Sequence, residues 1–228
     1  MADELRLVLF DVDGTLVDSQ GDILGAMTRS FAKEGLEPPT RKATLSIVGL
    51  SLPVAMARLL PDGAPDVLER LVEGYKSAYV AMRAEVGAAQ SSPLYPGARA
   101  ILEKLHAIPD VLLGVATGKS RRGLDKLIEA HELDAFFVTQ QVADFHPSKP
   151  HPSMILQAMQ DTGVRAAQTV MIGDTSYDME MAESAGVAGI GVSWGYHPVS
   201  ALTCAKHVLD DFWQLPGVLS DHWGLRNE

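Results

Sequence analysis

An apolar run at residues 5–10 is followed, only after a long interval, by others at 111–116, 136–139 and 169–172, with a fifth candidate at 189–193. Short apolar runs that end in small or polar residues fit buried parallel strands, which are covered on both faces and so show little alternation. Helical patterns at 98–106, 121–131, 152–162 and 178–185 separate the later runs, with Thr162-Gly163 and Ala185-Gly186 as glycine stops. Alternation at this spacing points to an α/β chain with a parallel sheet between two layers of helices. The interval breaks that rhythm. It holds helical patterns at 21–34, 41–47, 52–60 and 66–85, divided by Pro38-Pro39, Gly49 and Pro61-Asp62-Gly63, and it has no strand candidate. Residues 87–93 read as a linker back to the α/β pattern. The expected organisation is an α/β core of residues 1–17 and 93–228 carrying an inserted helical domain, residues 18–92.

Charge then limits the partners. With 29 acidic residues against 19 basic ones the net charge is −10, which argues against nucleic acid or an anionic membrane. An apolar fraction of 46% against 21% charged is that of a globular chain rather than a disordered one. Cys204 is the only cysteine, so no intrachain disulfide forms and a reducing compartment fits. The charged amino terminus and the brief apolar run after it do not make a signal peptide. No apolar stretch approaches the roughly 20 residues of a membrane helix. A cytoplasmic protein, monomer or homodimer, is expected.

Open parallel sheets bind ligands where loops leave the carboxyl ends of their strands. Asp11 and Asp13 follow the first strand candidate. Thr117 and Gly118 follow the second, Lys149 lies beyond the third, and Gly173, Asp174 and Asp178 follow the fourth. Carboxylates brought together raise one another's pKa unless a cation neutralises them. Hard oxygen donors of this kind suit magnesium, which takes a few carboxylates and a phosphate oxygen. Lys149 adds a second positive charge, and Thr117 with the N–H groups of Gly118 and Lys119, opening the next helix, can bind phosphate oxygens. A locally positive site on an acidic protein follows.

These segments resemble the haloacid dehalogenase superfamily of phosphohydrolases over nearly the whole chain. Phe10-Asp11-Val12-Asp13-Gly14-Thr15-Leu16-Val17-Asp18-Ser19 is similar to its first motif and Ala116-Thr117-Gly118-Lys119 to its second. Ser148-Lys149-Pro150-His151-Pro152 resembles the third, and Ile172-Gly173-Asp174-Thr175-Ser176-Tyr177-Asp178-Met179 the acidic fourth. The resemblance implies a Rossmann-like core with a helical cap and a magnesium-dependent phosphatase acting on a small phosphorylated metabolite. Asp11 would be the nucleophile that forms an aspartyl-phosphate, and Asp13 the acid and base. Thr117, Gly118 and Lys149 would bind the phosphate. Asp11, Asp174 and the backbone carbonyl of Asp13 would hold Mg2+, with Asp178 as an auxiliary carboxylate. The inserted helices would close over the substrate.

Within that family Asp13 disfavours dehalogenases, which usually carry an aromatic residue there. Ile47-Val48-Gly49-Leu50-Ser51-Leu52 lacks the basic residues that sugar-phosphate mutases place around a cap glycine, although Arg41 and Lys42 lie just upstream. Lys33, Lys42 and Lys76 have no setting that suits the Schiff-base lysine of phosphonate-cleaving relatives. A phosphoglycolate phosphatase-like hydrolase is the reading; a β-phosphoglucomutase-like mutase and a silent phosphate-binding module are the alternatives. Asp174 with Asp178 also fits helix amino-terminal carboxylates, and Thr117 a helix cap. Lys119, Arg121 and Arg122 read as a solvated helix start. His146, His151, His197, His207 and His222 read as loop and surface residues, and Cys204 as a packed one. Trp194-Gly195-Tyr196-His197-Pro198 reads as an entrance lining or as packing.

Overall fold

The computed structural model describes residues 4–224. The first three residues of the expected amino terminus and the last four of the expected core lie outside that range. Six strands form one parallel sheet: β1 (Arg6–Phe10), β2 (Val111–Thr117), β3 (Phe137–Val142), β4 (Thr169–Gly173), β5 (Ala188–Val192) and β6 (His207–Leu209). Their order is β3-β2-β1-β4-β5-β6 and every pair is parallel. The chain winds outward from β1 in one direction and from β4 in the other, so the crevice between β1 and β4 is the topological switch point.

Side chains of β1 divide by the two-residue period of a strand. Val8 and Phe10 enter one core with Ile101, Leu102 and Leu105 of α6 (Ala98–His106) and Leu124, Leu127 and Ile128 of α7 (Arg121–Ala130). Leu7 and Leu9 enter the other with Met154, Ile155 and Ala158 of α8 (Ser153–Thr162) and Met181 and Ala182 of α9 (Ser176–Ser184). Removing each such side chain from water contributes roughly 1.5–3 kcal/mol. This two-sided burial is why residues 7–10 of β1 read as continuously apolar. Leu215 and Leu219 of a carboxyl-terminal helix, α10 (Leu215–Trp223), complete the first core.

Between β1 and α6 the chain forms α1 (Gln20–Lys33), α2 (Arg41–Leu45), α3 (Leu52–Leu59), α4 (Pro65–Val86) and α5 (Ala88–Ser91). These helices have an apolar cluster of their own, including Met27, Phe31, Met56 and Leu71, and Tyr177 from α9 reaches into it. Small residues bring α1 and α4 together: Ser30 Oγ donates to the Leu71 carbonyl at 2.6 Å, and a Cβ on Gly74 would meet Ser30 Oγ at 2.9 Å.

Several elements differ from expectation. Helix α5 occupies part of the stretch read as a linker. Strand β3 runs on through Gln140 and Gln141, because at the sheet edge Gln141 can spend its amide on Asp161 at 2.7 Å. Strand β6 has three residues and begins with His207, too short and polar to register as an apolar run. Helix α7 begins at Arg121 with Ser120 as its cap, so Thr117 does not cap it. None of the described helices is long and apolar enough to cross a membrane.

Candidate active site

Asp11 lies just past β1, Asp174 just past β4, and Asp178 in the first turn of α9. The three carboxylates are buried, and one oxygen from each lies within 4.8 Å of the others. Lys149 enters from the loop between β3 and α8. Its Nζ donates to Asp11 Oδ1 at 2.8 Å and to Asp178 Oδ1 at 2.6 Å, with no exposure to solvent. Asp174 accepts from Thr15 Oγ1 at 3.0 Å and from the Tyr196 N–H at 2.8 Å. Gly14 makes this approach possible. Its φ is +91°, and a Cβ there would lie 2.3 Å from Asp174 Oδ2.

Asp178 serves two partners. Its Oδ2 accepts from the backbone and hydroxyl of Thr175 at 3.0 and 2.7 Å, closing a capping box on α9, while Oδ1 takes Lys149. The helix-terminus reading and the auxiliary reading therefore describe the same carboxylate. One polar atom of the group is unsatisfied: Asp11 Oδ2 is buried and has no hydrogen-bond partner among the described residues.

Charge explains the titration of this group. Burial, reinforced by Asp178 and opposed by Lys149, pushes the Asp11 carboxyl up to about 6. Burial, then Asp178 and Asp11, hold Asp174 well above the usual carboxylate range. Lys149 stays above the ordinary lysine value, because Asp11 and Asp178 outweigh the burial that opposes its charge. Fully ionised, the three carboxylates would carry two negative charges more than the one ammonium offsets, an excess that adds to burial in raising Asp11 and Asp174 without a further cation. A buried oxygen without a partner, hard donors and a deficit of two positive charges fit a divalent cation such as magnesium.

Asp13 faces elsewhere. Its carboxylate lies outside the group of three, with Oδ2 on Lys119 Nζ at 2.8 Å and Oδ1 accepting from Ser19 Oγ. Burial would raise its pKa, but Lys119, Ser19 and Arg83 together hold it below the usual value. The expectation of a solvated Lys119 is thus overturned: its side chain is 8% exposed and pinned between Asp13 and Tyr79 of α4. Thr117 is buried, and its Oγ1 accepts from the Lys119 N–H at 3.3 Å.

Gly118 meets the helical segment directly. A Cβ on it would fall 2.4 Å from the Gly49 carbonyl oxygen, so only glycine permits this contact. The Ser51 N–H donates to Ser148 Oγ at 2.9 Å, and Tyr177 Oη donates to the Ser46 carbonyl at 2.8 Å. His197, expected on the surface, is 8% exposed. Its Nδ1 accepts from the Ser176 N–H and its Nε2 donates to the Ser46 carbonyl, each at 3.2 Å, which fixes one neutral tautomer. Burial lowers its pKa accordingly.

The loop holding Trp194 and Tyr196 is part of the site's wall. Trp194 Nε1 donates to the Thr15 carbonyl at 3.1 Å, and Tyr196 Oη accepts from the Ser19 N–H at 2.9 Å. Only the backbone of Lys119 was expected at the site, its side chain being read as solvated, and Tyr196 and His197 were read within a segment that lines the entrance or packs, His197 also as a surface residue. For Lys119 a signal was available, since it directly follows Thr117-Gly118 at a strand end.

Acidic and basic side chains gathered at the switch point of a doubly covered parallel sheet define a Rossmann-like α/β enzyme. The family model for haloacid dehalogenase-like hydrolases matches residues 8–192, and the chain belongs to that family. It is 35% identical over 217 residues to a probable phosphatase, IndB, of Dickeya dadantii, covering 92% of both chains. A phosphoglycolate phosphatase of Pseudomonas fluorescens is 32% identical over 219 residues, 94% of this chain and 80% of that one. Among solved structures, a haloacid dehalogenase-like hydrolase from Streptococcus pneumoniae superposes with a TM-score of 0.81 at 25% identity, over 94% of this chain and 98% of that one. A β-phosphoglucomutase from Clostridium difficile shares the fold, with a TM-score of 0.82 at 20% identity, over 96% and 97% of the two chains.

Proposed function

We propose that this hydrolase is a magnesium-dependent phosphatase of small phosphate monoesters, phosphoglycolate-like, working through an aspartyl-phosphate on Asp11. The observation that carries the reading is the state of Asp11. One oxygen is held by Lys149 and the other is buried without a partner, beside an acid two residues away. An Asp11 oxygen attacks phosphorus as the bond to the leaving oxygen breaks, and Asp13, which must hold a proton at that point and so be parted from Lys119, passes it to that oxygen. Water then attacks the aspartyl-phosphate and gives its proton to Asp13. The bond from phosphorus to Asp11 breaks, releasing inorganic phosphate. Asp11, Asp174 and the Asp13 carbonyl are the proposed magnesium ligands, with Asp178 close by. When bound, the ion supplies the positive charge that lowers repulsion between carboxylate and phosphate.

Thr117, Gly118 and Lys149 bind the phosphate in this reading, and Asp178 holds Lys149 in line. Residues 18–92 act as the cap, on a core of residues 1–17 and 93–228. Asp11 is 1% exposed, which fits a closed arrangement that keeps bulk water from the phosphoryl group. The acidic chain, with a single cysteine, fits a cytoplasmic enzyme. Phosphate release is to be assayed with magnesium on phosphoglycolate, sugar phosphates, nucleotides and pyrophosphate. Release from phosphoglycolate is expected. No release from any of them overturns the reading, and isomerisation of a sugar phosphate replaces it with the mutase.

A further inference from the structure

Both oxygens of Asp13 are engaged, one by Ser19 and one by Lys119, so a substrate oxygen must share or displace a partner already in place. Lys119 is nearly buried, and Asp13 is its only carboxylate partner among the described residues. Beyond it stands an aromatic wall from α4. Lys119 Nζ lies 5.3 Å from the Tyr79 ring centroid and 3.4 Å from its Oη, and Arg83 Cζ lies 5.0 Å from the same centroid. Tyr75 stacks on Tyr79 at 5.8 Å, while Ile23 and Val48 pack with Tyr79 and Tyr196. Arg83 is tied to Asp22 and Ser92. Of the two cations, Lys119 is therefore the one placed to exchange partners beside the acid.

Resting on the phosphatase reading, we infer that Lys119 recognises a carboxylate carried by the leaving group, one carbon from the oxygen that departs. A hydrogen bond from Asp13 to that oxygen spans about 2.8 Å. Lys119 lies 2.8 Å from Asp13, so its ammonium is at most about 5.6 Å from the departing oxygen. A carboxylate on the adjacent carbon falls within that interval. It takes Lys119 in place of Asp13, which frees one Asp13 oxygen for the leaving group and leaves no buried ammonium unpaired. An alkyl group of the same size has nothing to offer Lys119, and the Lys119–Asp13 pair then holds the acid away.

Phosphoglycolate and ethyl phosphate test this, because they differ only in carboxylate against methyl. Their kcat/KM ratio is to be measured with magnesium for the wild type, Lys119→Met and Lys119→Arg. A wild-type preference for phosphoglycolate of about 100-fold or more is expected. It should fall below about 5-fold in Lys119→Met, chiefly through KM, and recover in part in Lys119→Arg. A ratio that survives in Lys119→Met overturns the inference. So does a wild type indifferent to the carboxylate, and in both cases the phosphatase reading stands. Failure to cleave any ester sinks that reading instead. Should the variants not fold, wild-type turnover of phosphoglycolate in added glycolate or ethanol decides: inhibition by glycolate alone is expected, and equal effects overturn the inference.

Discussion

Lys149 and Lys119 are both buried ammonium groups held above the ordinary lysine value, yet they sit in groups of opposite character. Around Lys149 three carboxylates converge and the charges do not balance. Around Lys119 each charge has its counterpart: Asp13 for Lys119, and Asp22 for Arg83 behind Tyr79. The unbalanced half belongs to the α/β core, at strand ends, a loop and the first turn of α9, and in the proposed reading it takes up a cation and a phosphate. The balanced half is shared with the helices of residues 18–92 and is complete as it stands, so a ligand there must exchange with a partner already in place. In the proposed reading one half carries the chemistry and the other the choice.

Asp11→Asn breaks the first half most severely. Phosphatase activity should fall by about 10⁴-fold or more, with the folded state retained in circular dichroism. Residual turnover near the wild-type level would remove Asp11 from the nucleophile's place. Lys149→Met should come next, lowering kcat by about 10³-fold, since a donor to the phosphate is lost and Asp11 and Asp178 are left facing each other. A change confined to KM would assign Lys149 to ground-state binding alone.

Gly118→Ala tests the join between the halves. Its Cβ would push the Gly49 carbonyl away, and a displacement of about 1 Å is expected to cost up to about 10²-fold in kcat/KM while melting changes little. Normal activity in that variant would mean that the Gly49–Gly118 contact is dispensable.

Metal-free stability gives the smallest effect, a shift of a few degrees. The Asp11 carboxyl is raised from 3.8 to about 6, so between those values the folded protein binds more protons than the unfolded chain. Its contribution is therefore lost as pH rises through that window and stays lost above it. Thermal melting in chelator should fall between about pH 4 and 6, and magnesium at pH 7 should restore it by mass action. Asp11→Asn should flatten the slope. A melting temperature indifferent to magnesium would count against the cation site.

The unbalanced half was the legible one. Asp11 and Asp174 each sit at a strand end and Lys149 in the loop beyond another, and a run of buried strands shows in sequence as apolar segments with chemistry at or after their close. Lys119 was misjudged because a lysine before Ser120, Arg121 and Arg122 looks like part of a wetted helix start. Its partners come from distant segments, Asp13 after β1 and Tyr79 on α4, and nothing local marks them. Tyr196 holds Asp174 through its backbone N–H, a group every residue but proline possesses, so no side-chain pattern could reveal it. His197 looked superficial because its two partners, Ser176 and the Ser46 carbonyl, meet only when the helices rest on the sheet.

The amide of Ser51 has a use of its own. It belongs to the cap of α3, and its partner among the described residues is the hydroxyl of Ser148, the residue before Lys149. If residues 18–92 act as the proposed cap, each lifting of these helices from the core frees that proton to trade with solvent. Deuterium uptake at this single position therefore acts as a clock for the parting, readable without substrate or product. Set beside turnover, its rate tells whether catalysis waits on the bond being broken or on the door.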